Sequence, residues 1–142
     1  MKFFKKMSDG GKDSGVTAYT LFEIKGLASV MLLHFRPGTR EAFHSHAFNA
    51  LTLWLKGSVT EERLVNAWFV QNFGSIPRIE SRFFWAGNWK KTPVTNMHRI
   101  IAGKEGAWAL TFRGPWKQTW QEWKNGKFIT LTHGREVVDV TI

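Results

Sequence analysis

Residues 38–57 read GTREAFHSHAFNALTLWLKG, and two features of that stretch decide how the chain is built. The first is alternation. From Asn49 to Lys56 the even positions carry Ala50, Thr52, Trp54 and Lys56, and the odd ones Asn49, Leu51, Leu53 and Leu55. A period of two reads as a strand, and Gly57 closes it. Thr52 and Trp54 share the parity of Ala50, so all three should face one side, which in a small barrel filled with side chains is the interior. The second feature is the pair His44 and His46. Residues at i and i+2 of an extended chain point to the same face, so both imidazoles can reach one ion. His98 lies in another apolar segment, five residues after Pro93, and is the candidate third ligand. Three neutral imidazoles suit Fe(II), Zn(II), Ni(II), Cu(II) or Mn(II) and leave coordination positions open for water or substrate.

Similar short segments recur on both sides of this stretch. Val16–Ile24 ends at Lys25-Gly26, and Ala28–Arg36 ends at Pro37-Gly38. Downstream come Ala67–Gln71, Arg82–Ala86, Met97–Ala102, Ala107–Arg113, Phe128–Thr132 and Val137–Ile142. Gly103–Gly106, Gly114-Pro115 and Asn125-Gly126 separate the later ones. Asn-Gly is a strong hairpin signal. Helical signal is confined to a turn or two at Glu61–Asn66 or Gln118–Lys124. Short strands with tight turns predict an antiparallel sandwich or barrel.

With 142 residues, 43% of them hydrophobic, the chain suits one domain over 16–142 with one core. Residues 1–15 are polar and Gly-rich and read as a loose arm. There are no cysteines, which excludes disulfides, thiolate metal sites and a cysteine nucleophile. The start, Met1-Lys2-Phe3-Phe4-Lys5-Lys6, is followed by Ser8, Asp9, Gly10, Gly11 and Lys12 rather than the apolar run of a secretory signal. No stretch approaches the ~18 apolar residues of a membrane span. The expectation is a cytoplasmic protein without a membrane partner. The net charge of +9 favours anionic partners. The charges are scattered, with Lys5-Lys6 and Lys90-Lys91 as the basic doublets, so a solvated cationic surface is preferred to a nucleic-acid footprint.

The spacing around the histidines resembles that of the cupin superfamily. The first cupin motif is Gly, five residues, His-x-His, three or four residues, Glu, six residues, Gly; Gly38, His44, His46 and Gly57 match it. The second is Gly, five residues, Pro-x-Gly, two residues, His, three residues, Asn; Gly87, Pro93 and His98 match. The resemblance covers roughly residues 16–142 and implies an all-β fold, the jelly-roll β-barrel. Three motif positions depart from it: the Glu ligand falls at Ala50 or Leu51, neither able to bind metal, the second-motif Gly at Thr95 and the Asn at Ala102. Three histidines without the Glu is the ligand set of the thiol dioxygenases, which resemble cupins and use Fe(II); it also occurs in cupins that lost catalysis. The chain further looks like a group of small cupins common in bacteriophage genomes. The matching residues are His44-Ser-His46-Ala-Phe48, Leu51–Gly57, Glu61-Glu62, His98-Arg99-Ile100, Thr111–Pro115 and Trp120. That group carries no established activity to transfer.

Other residues were read against these. Arg113 ends a segment expected near His98, where a guanidinium can clamp a carboxylate or phosphate bidentately. Arg99 should point away from His98, and Arg36 stands before the Pro37-Gly38 turn. Asn49 is read as a strand-end polar residue, His34 as a hydrogen-bonded core histidine and His133 as a turn residue. Trp108, Trp116, Trp120 and Trp123, with Lys117 and Lys124 between them, are expected to serve the core or a subunit contact rather than single-stranded nucleic acid. Exposed aromatics suggest a homodimer.

Three functions follow as expectations. The first is a divalent-metal oxygenase, Fe(II) favoured over Zn(II), Ni(II) or Mn(II), acting on a small polar or anionic substrate, with Arg113 fixing an anionic group. The second is a non-enzymatic module binding a small anion such as a nucleotide. The last is a sugar-phosphate isomerase or epimerase, which needs a general base and has Glu41 and Glu61 as candidates by location.

Overall fold

The computed structural model describes residues 5–9, 15–24, 26–38, 42–132 and 137–141. Its strands are β1 Lys5–Asp9, β2 Val16–Ile24, β3 Ala28–Phe35, β4 Phe43–His44, β5 Ala50–Leu64, β6 Ile79–Trp85, β7 Trp89–Thr92, β8 His98–Arg113, β9 Thr119–Lys124, β10 Lys127–Thr132 and β11 Val137–Thr141. Among the described residues one helix, α1 Ala67–Phe73, joins β5 to β6. Every described pairing is antiparallel. β1 lies inside the segment read as an arm and pairs with β2, Lys5 opposite Thr20.

Two long strands organise the molecule. β5 and β8 run side by side from Ala50 opposite Arg113 to Arg63 opposite His98. Their ends belong to different halves of the sheet. The 107–113 end of β8 carries β3, and through it β2 and β1, while the Ala50–Leu53 end of β5 carries β7. At the opposite end, β8 carries β4 at His98, and the ladder continues to β9, β10 and β11, while β5 carries β6. The two halves face one core, the jelly-roll arrangement. Among the described residues the ladder does not close into a continuous barrel; β1, β6, β7 and β11 are its edges.

The strands turn from one half to the other at two glycines. A Cβ on Gly57 would sit 2.1 Å from the carbonyl oxygen of Gly106, and one on Gly106 would sit 2.5 Å from that of Phe35. Both have positive φ, +79° and +71°. Only glycine adopts such backbone without strain while letting neighbouring strands approach this closely. The β5–β8 register shifts on both sides of Gly57, so β5 continues through the expected stop. Likewise Gly103–Gly106, read as a break, is the bend in β8.

Three local expectations are corrected. Ala67–Gln71, read as a strand, is helical: Ala67 and Val70, one turn apart, pack against Phe43, Leu64, Met97 and Phe128. Glu61–Leu64 and Thr119–Lys124, read as helical turns, are strand. In each case pairing to a neighbouring strand decides the conformation, which local propensity does not.

The main core joins Val16, Met31, Leu33, Phe35, Trp54, Val59, Phe84 and Ile100, with alanines of β2 and β8 where the strands crowd. Thr52 and Trp54 face inward as the alternation requires, with Trp54 between Phe35 and Phe84. His34 is half-buried and meets Trp108 in a tilted contact at 4.5 Å, with Tyr19 stacked on the same indole. Trp116 meets Phe48, and Trp123 lies against Phe43 and Phe128.

Candidate metal centre

β4 is only Phe43–His44, yet it is held from both sides. His44 stands opposite His98 of β8 and opposite Glu122 of β9. The Ser45 N–H donates to the Gln121 carbonyl, and the Gln121 N–H to the Ser45 hydroxyl. These bonds fix the chain around His44 and His46 beside the start of β8.

The three imidazoles converge. Ligand atoms of His44, His46 and His98 all lie within 4.8 Å of one another, and among the described residues no carboxylate joins them. Their ring centroids form a near-equilateral triangle with sides of 4.8, 5.1 and 5.1 Å, the rings steeply inclined to one another. His46 Nε2 and His98 Nε2 are 3.0 Å apart. That is a hydrogen-bond length, and it is also the spacing of two nitrogens each about 2.1 Å from one ion and at right angles to each other. Ala50, standing where a fourth ligand is usual in the resembled motif, contributes a methyl group.

Hydrogen bonds at the far ring nitrogens fix the tautomers of His44 and His98. His44 Nδ1–H donates to the Ala42 carbonyl at 2.9 Å, leaving Nε2 as the ligand atom. Behind His98 lies a buried polar cluster. His98 Nδ1–H donates to Glu61 Oε2 at 2.5 Å, and Lys90 Nζ approaches the same oxygen at 2.6 Å. Asn96 Nδ2 donates to Glu61 at 3.3 Å, and Lys90 donates to the Thr92 hydroxyl. Glu61 is 1% exposed and Lys90 4%, so neither charge is shared with water. A carboxylate accepting from the far nitrogen of a ligand histidine orients the ring and raises its donor strength.

The charge states follow from the surroundings. Burial holds His46 well below the usual imidazole range, and the other histidines, Arg113 and Lys90 add to the effect. Burial likewise takes His98 to about 3, outweighing the hydrogen bond to Glu61 that favours its protonated form. Burial alone would raise Glu61, but the hydrogen bond from His98 and the charge of Lys90 take it down to about 2. Lys90 is lowered by burial despite the attraction of Glu61. His46 and His98 are therefore neutral at pH 7, the form that binds metal.

Arg113 is buried, stacks on Phe48 at 4.6 Å and is among the charges acting on His46. Its cross-strand neighbours are Ser29 and Ala50, and Thr111 precedes it by two on the same inward face. Thr111 shares a 3.2 Å hydrogen bond with Thr52. Polar groups thus line one wall of the interior. Arg99 points the other way, pairing with Glu62 at 2.9 Å and covering Phe43. Arg36 is exposed. Asn49 accepts from the Val94 N–H and acts as a loop tie. Glu41 and His133 lie outside the described residues.

Lys90, Thr92 and Asn96 escaped the sequence reading, and Glu61 was given a different role. Lys90 and Thr92 share a parity in β7, so alternation marks one of the Lys90-Lys91 doublet as inward. Glu61 shares parity with Val59, but linking that pair to Thr52 and Trp54 requires the register shifts at Gly57.

No protein-family model and no curated protein sequence matches this chain. Solved structures do resemble it. A cupin-2 domain protein from Rhodospirillum rubrum superposes with a TM-score of 0.63 at 13% identity, over 85% of this chain and 76% of the other. KdgF from Halomonas sp. gives 0.58 at 14%, over 81% and 94%. Oxalate decarboxylase from Bacillus subtilis gives 0.56 at 18%, over 81% of this chain and 30% of that one. At such identities the likeness establishes the cupin fold, and the three-histidine site makes the chain a candidate metal-binding protein of that fold.

Proposed function

We propose that this chain is a mononuclear metal-dependent dioxygenase with Fe(II) at His44, His46 and His98 and a small anionic substrate. One observation carries the reading: three imidazoles converge, with no carboxylate among them in the described residues. Such a neutral set leaves the ion its full charge and leaves positions open on it. When bound, Fe(II) would supply the activation of O₂ and an electrophilic anchor for substrate.

The remaining work falls to this chain's own side chains. Arg113 fixes the anionic group of the substrate; its Cζ lies 4.6 Å over the Phe48 ring, and a guanidinium suits bidentate recognition. Ala50, directly opposite Arg113, puts no carboxylate of its own there to compete. Thr52 and Thr111 offer hydroxyls on the same wall. Glu61 and Lys90 stay engaged with each other and with His98, so they position the ligand and do not act on substrate.

That engagement disfavours the isomerase reading, since Glu61 is an ion-paired carboxylate whose pKa is about 2, far too weak a base for carbon acids. A non-enzymatic anion binder remains the second reading, favoured by Ala50 itself, because losing a ligand also fits a centre that only anchors. Protein loaded with Fe(II) is expected to consume O₂ with at least one member of a panel of thiols, amino acids and nucleotides. Tight binding of a nucleotide that survives metal removal, with no O₂ uptake, would select the second reading.

A further inference from the structure

β6 is an edge strand whose chemistry complements itself. It pairs with β5 on one side, from Leu64 opposite Ile79 to Ser58 opposite Trp85, and among the described residues no strand pairs with its other side. The Val65 N–H donates to the Arg78 carbonyl, and beyond the other end the Trp85 N–H donates to Asn88 Oδ1. Alternate residues of the ladder therefore turn their backbone groups toward β5: Arg78, Glu80, Arg82 and Phe84. Ile79, Ser81 and Phe83 turn theirs outward, a row open to another strand.

The side chains on this edge are unusually apolar for water. Ile79, Phe83 and Trp85 are 45%, 58% and 54% exposed, and α1, which leads into β6, presents Trp68, Phe69 and Phe73 at 60%, 53% and 69%. Asn66, just before α1, bonds to Ile76 and Arg78 and so keeps the helix beside the start of β6. The aromatic residues alone offer on the order of 500 Å² of apolar surface. A standard interface buries about 800 Å² per partner, so this patch is a large share of one.

We propose that two copies of the chain pair through β6, antiparallel about a two-fold axis at Ser81, forming one continuous sheet. The register is chosen by charge. Centring on Ser81 sets Glu80 opposite the partner's Arg82 and Arg82 opposite the partner's Glu80. It also sets Ile79 against the partner's Phe83, with the outward backbone groups of Ile79, Ser81 and Phe83 meeting their counterparts. Centring on Glu80 or on Arg82 opposes like charges, and centring on Phe83 leaves Glu80 and Arg82 without each other; centring on Ile79 would set Glu80 against the partner's Arg78 but bring Pro77, which has no N–H to give, opposite Ser81. Opposite charges directly across an antiparallel pair stabilise it, and like charges oppose it. The proposal is independent of the metal reading.

Sedimentation velocity on the whole protein, with and without added metal, tests it. The wild type is expected to be a dimer. Ser81→Pro removes an outward N–H and leaves the β5 ladder intact, and is expected to be monomeric. Glu80→Arg gives up only a 3.7 Å exposed pair with Arg63 within the chain, yet should weaken the dimer about tenfold or more, since it places like charges across the axis. The swap Glu80→Arg with Arg82→Glu is expected to restore the dimer. Near-ultraviolet circular dichroism confirms that each variant is folded. A monomeric wild type, a dimeric folded Ser81→Pro or Glu80→Arg variant, or a swap that fails to restore pairing overturns the proposal.

Discussion

The Nδ1–H of His98 and the ammonium of Lys90 both meet one oxygen of Glu61. Removing one partner of a buried ion pair costs about 3–5 kcal/mol, whereas removing both charges together is often close to neutral. Lys90→Met is therefore expected to destabilise the protein in urea titration by that amount, and Lys90→Met with Glu61→Gln by clearly less. Glu61→Gln alone retains the shape but weakens the acceptor behind His98. Its expected signature is a metal affinity reduced about 10- to 100-fold, measured by competition with a chelator, while the His44 and His46 ligands remain. Arg113→Lys keeps the charge and loses the planar fork. If Arg113 clamps an anionic substrate, this variant should raise KM for the active substrate well before it lowers kcat; an unchanged KM would remove Arg113 from the site.

β5 and β8 carry the site because they cross between the two halves of the sheet. Their bend brings Glu61, after Gly57, into the same interior as Thr52, before it. Gly57→Ala is expected to cost more than the about 1 kcal/mol of an ordinary glycine replacement, because the new Cβ would fall 2.1 Å from a carbonyl oxygen at positive φ; thermal denaturation would show it. The same bend marks how far the sequence could be read. Alternation over Ala50, Thr52 and Trp54 located the interior face correctly, and the i, i+2 histidines with His98 are the three imidazoles that converge in the structure. The place of Glu61 behind His98 was not legible because two register shifts lie between it and Trp54, and local pattern carries no count across a bulge. Lys90 was taken for surface because a buried lysine is legible only through its partner, which comes from another strand. Helix α1 was missed because its apolar residues also satisfy a strand pattern, and only the seat for Ala67 and Val70 distinguishes them.

Over the whole molecule, 20 basic residues against 11 acidic ones give a net charge of +9, so acidification adds repulsion to an already cationic chain. The buried groups set where stability is lost. His98 is neutral when folded, with a pKa of about 3 against an ordinary 6.5, so the unfolded chain binds its proton first and stability falls as pH drops below about 6.5. Glu61 adds a term present above 4.5 and lost as pH falls toward 2. Metal-free protein should therefore lose stability steadily from near neutrality in urea titrations at stepped pH, and metal should shift the onset downward by holding His98 unprotonated. No helix among the described residues is long and apolar enough to cross a membrane. The central claim, that three histidines from β4, the loop after it and β8 hold one ion, is tested most directly by elemental analysis of the native protein, His44→Ala and His98→Ala. The expected result is one divalent metal ion per wild-type chain, iron when iron is supplied, and loss of the metal from both variants. Full metal retention by both variants would contradict it.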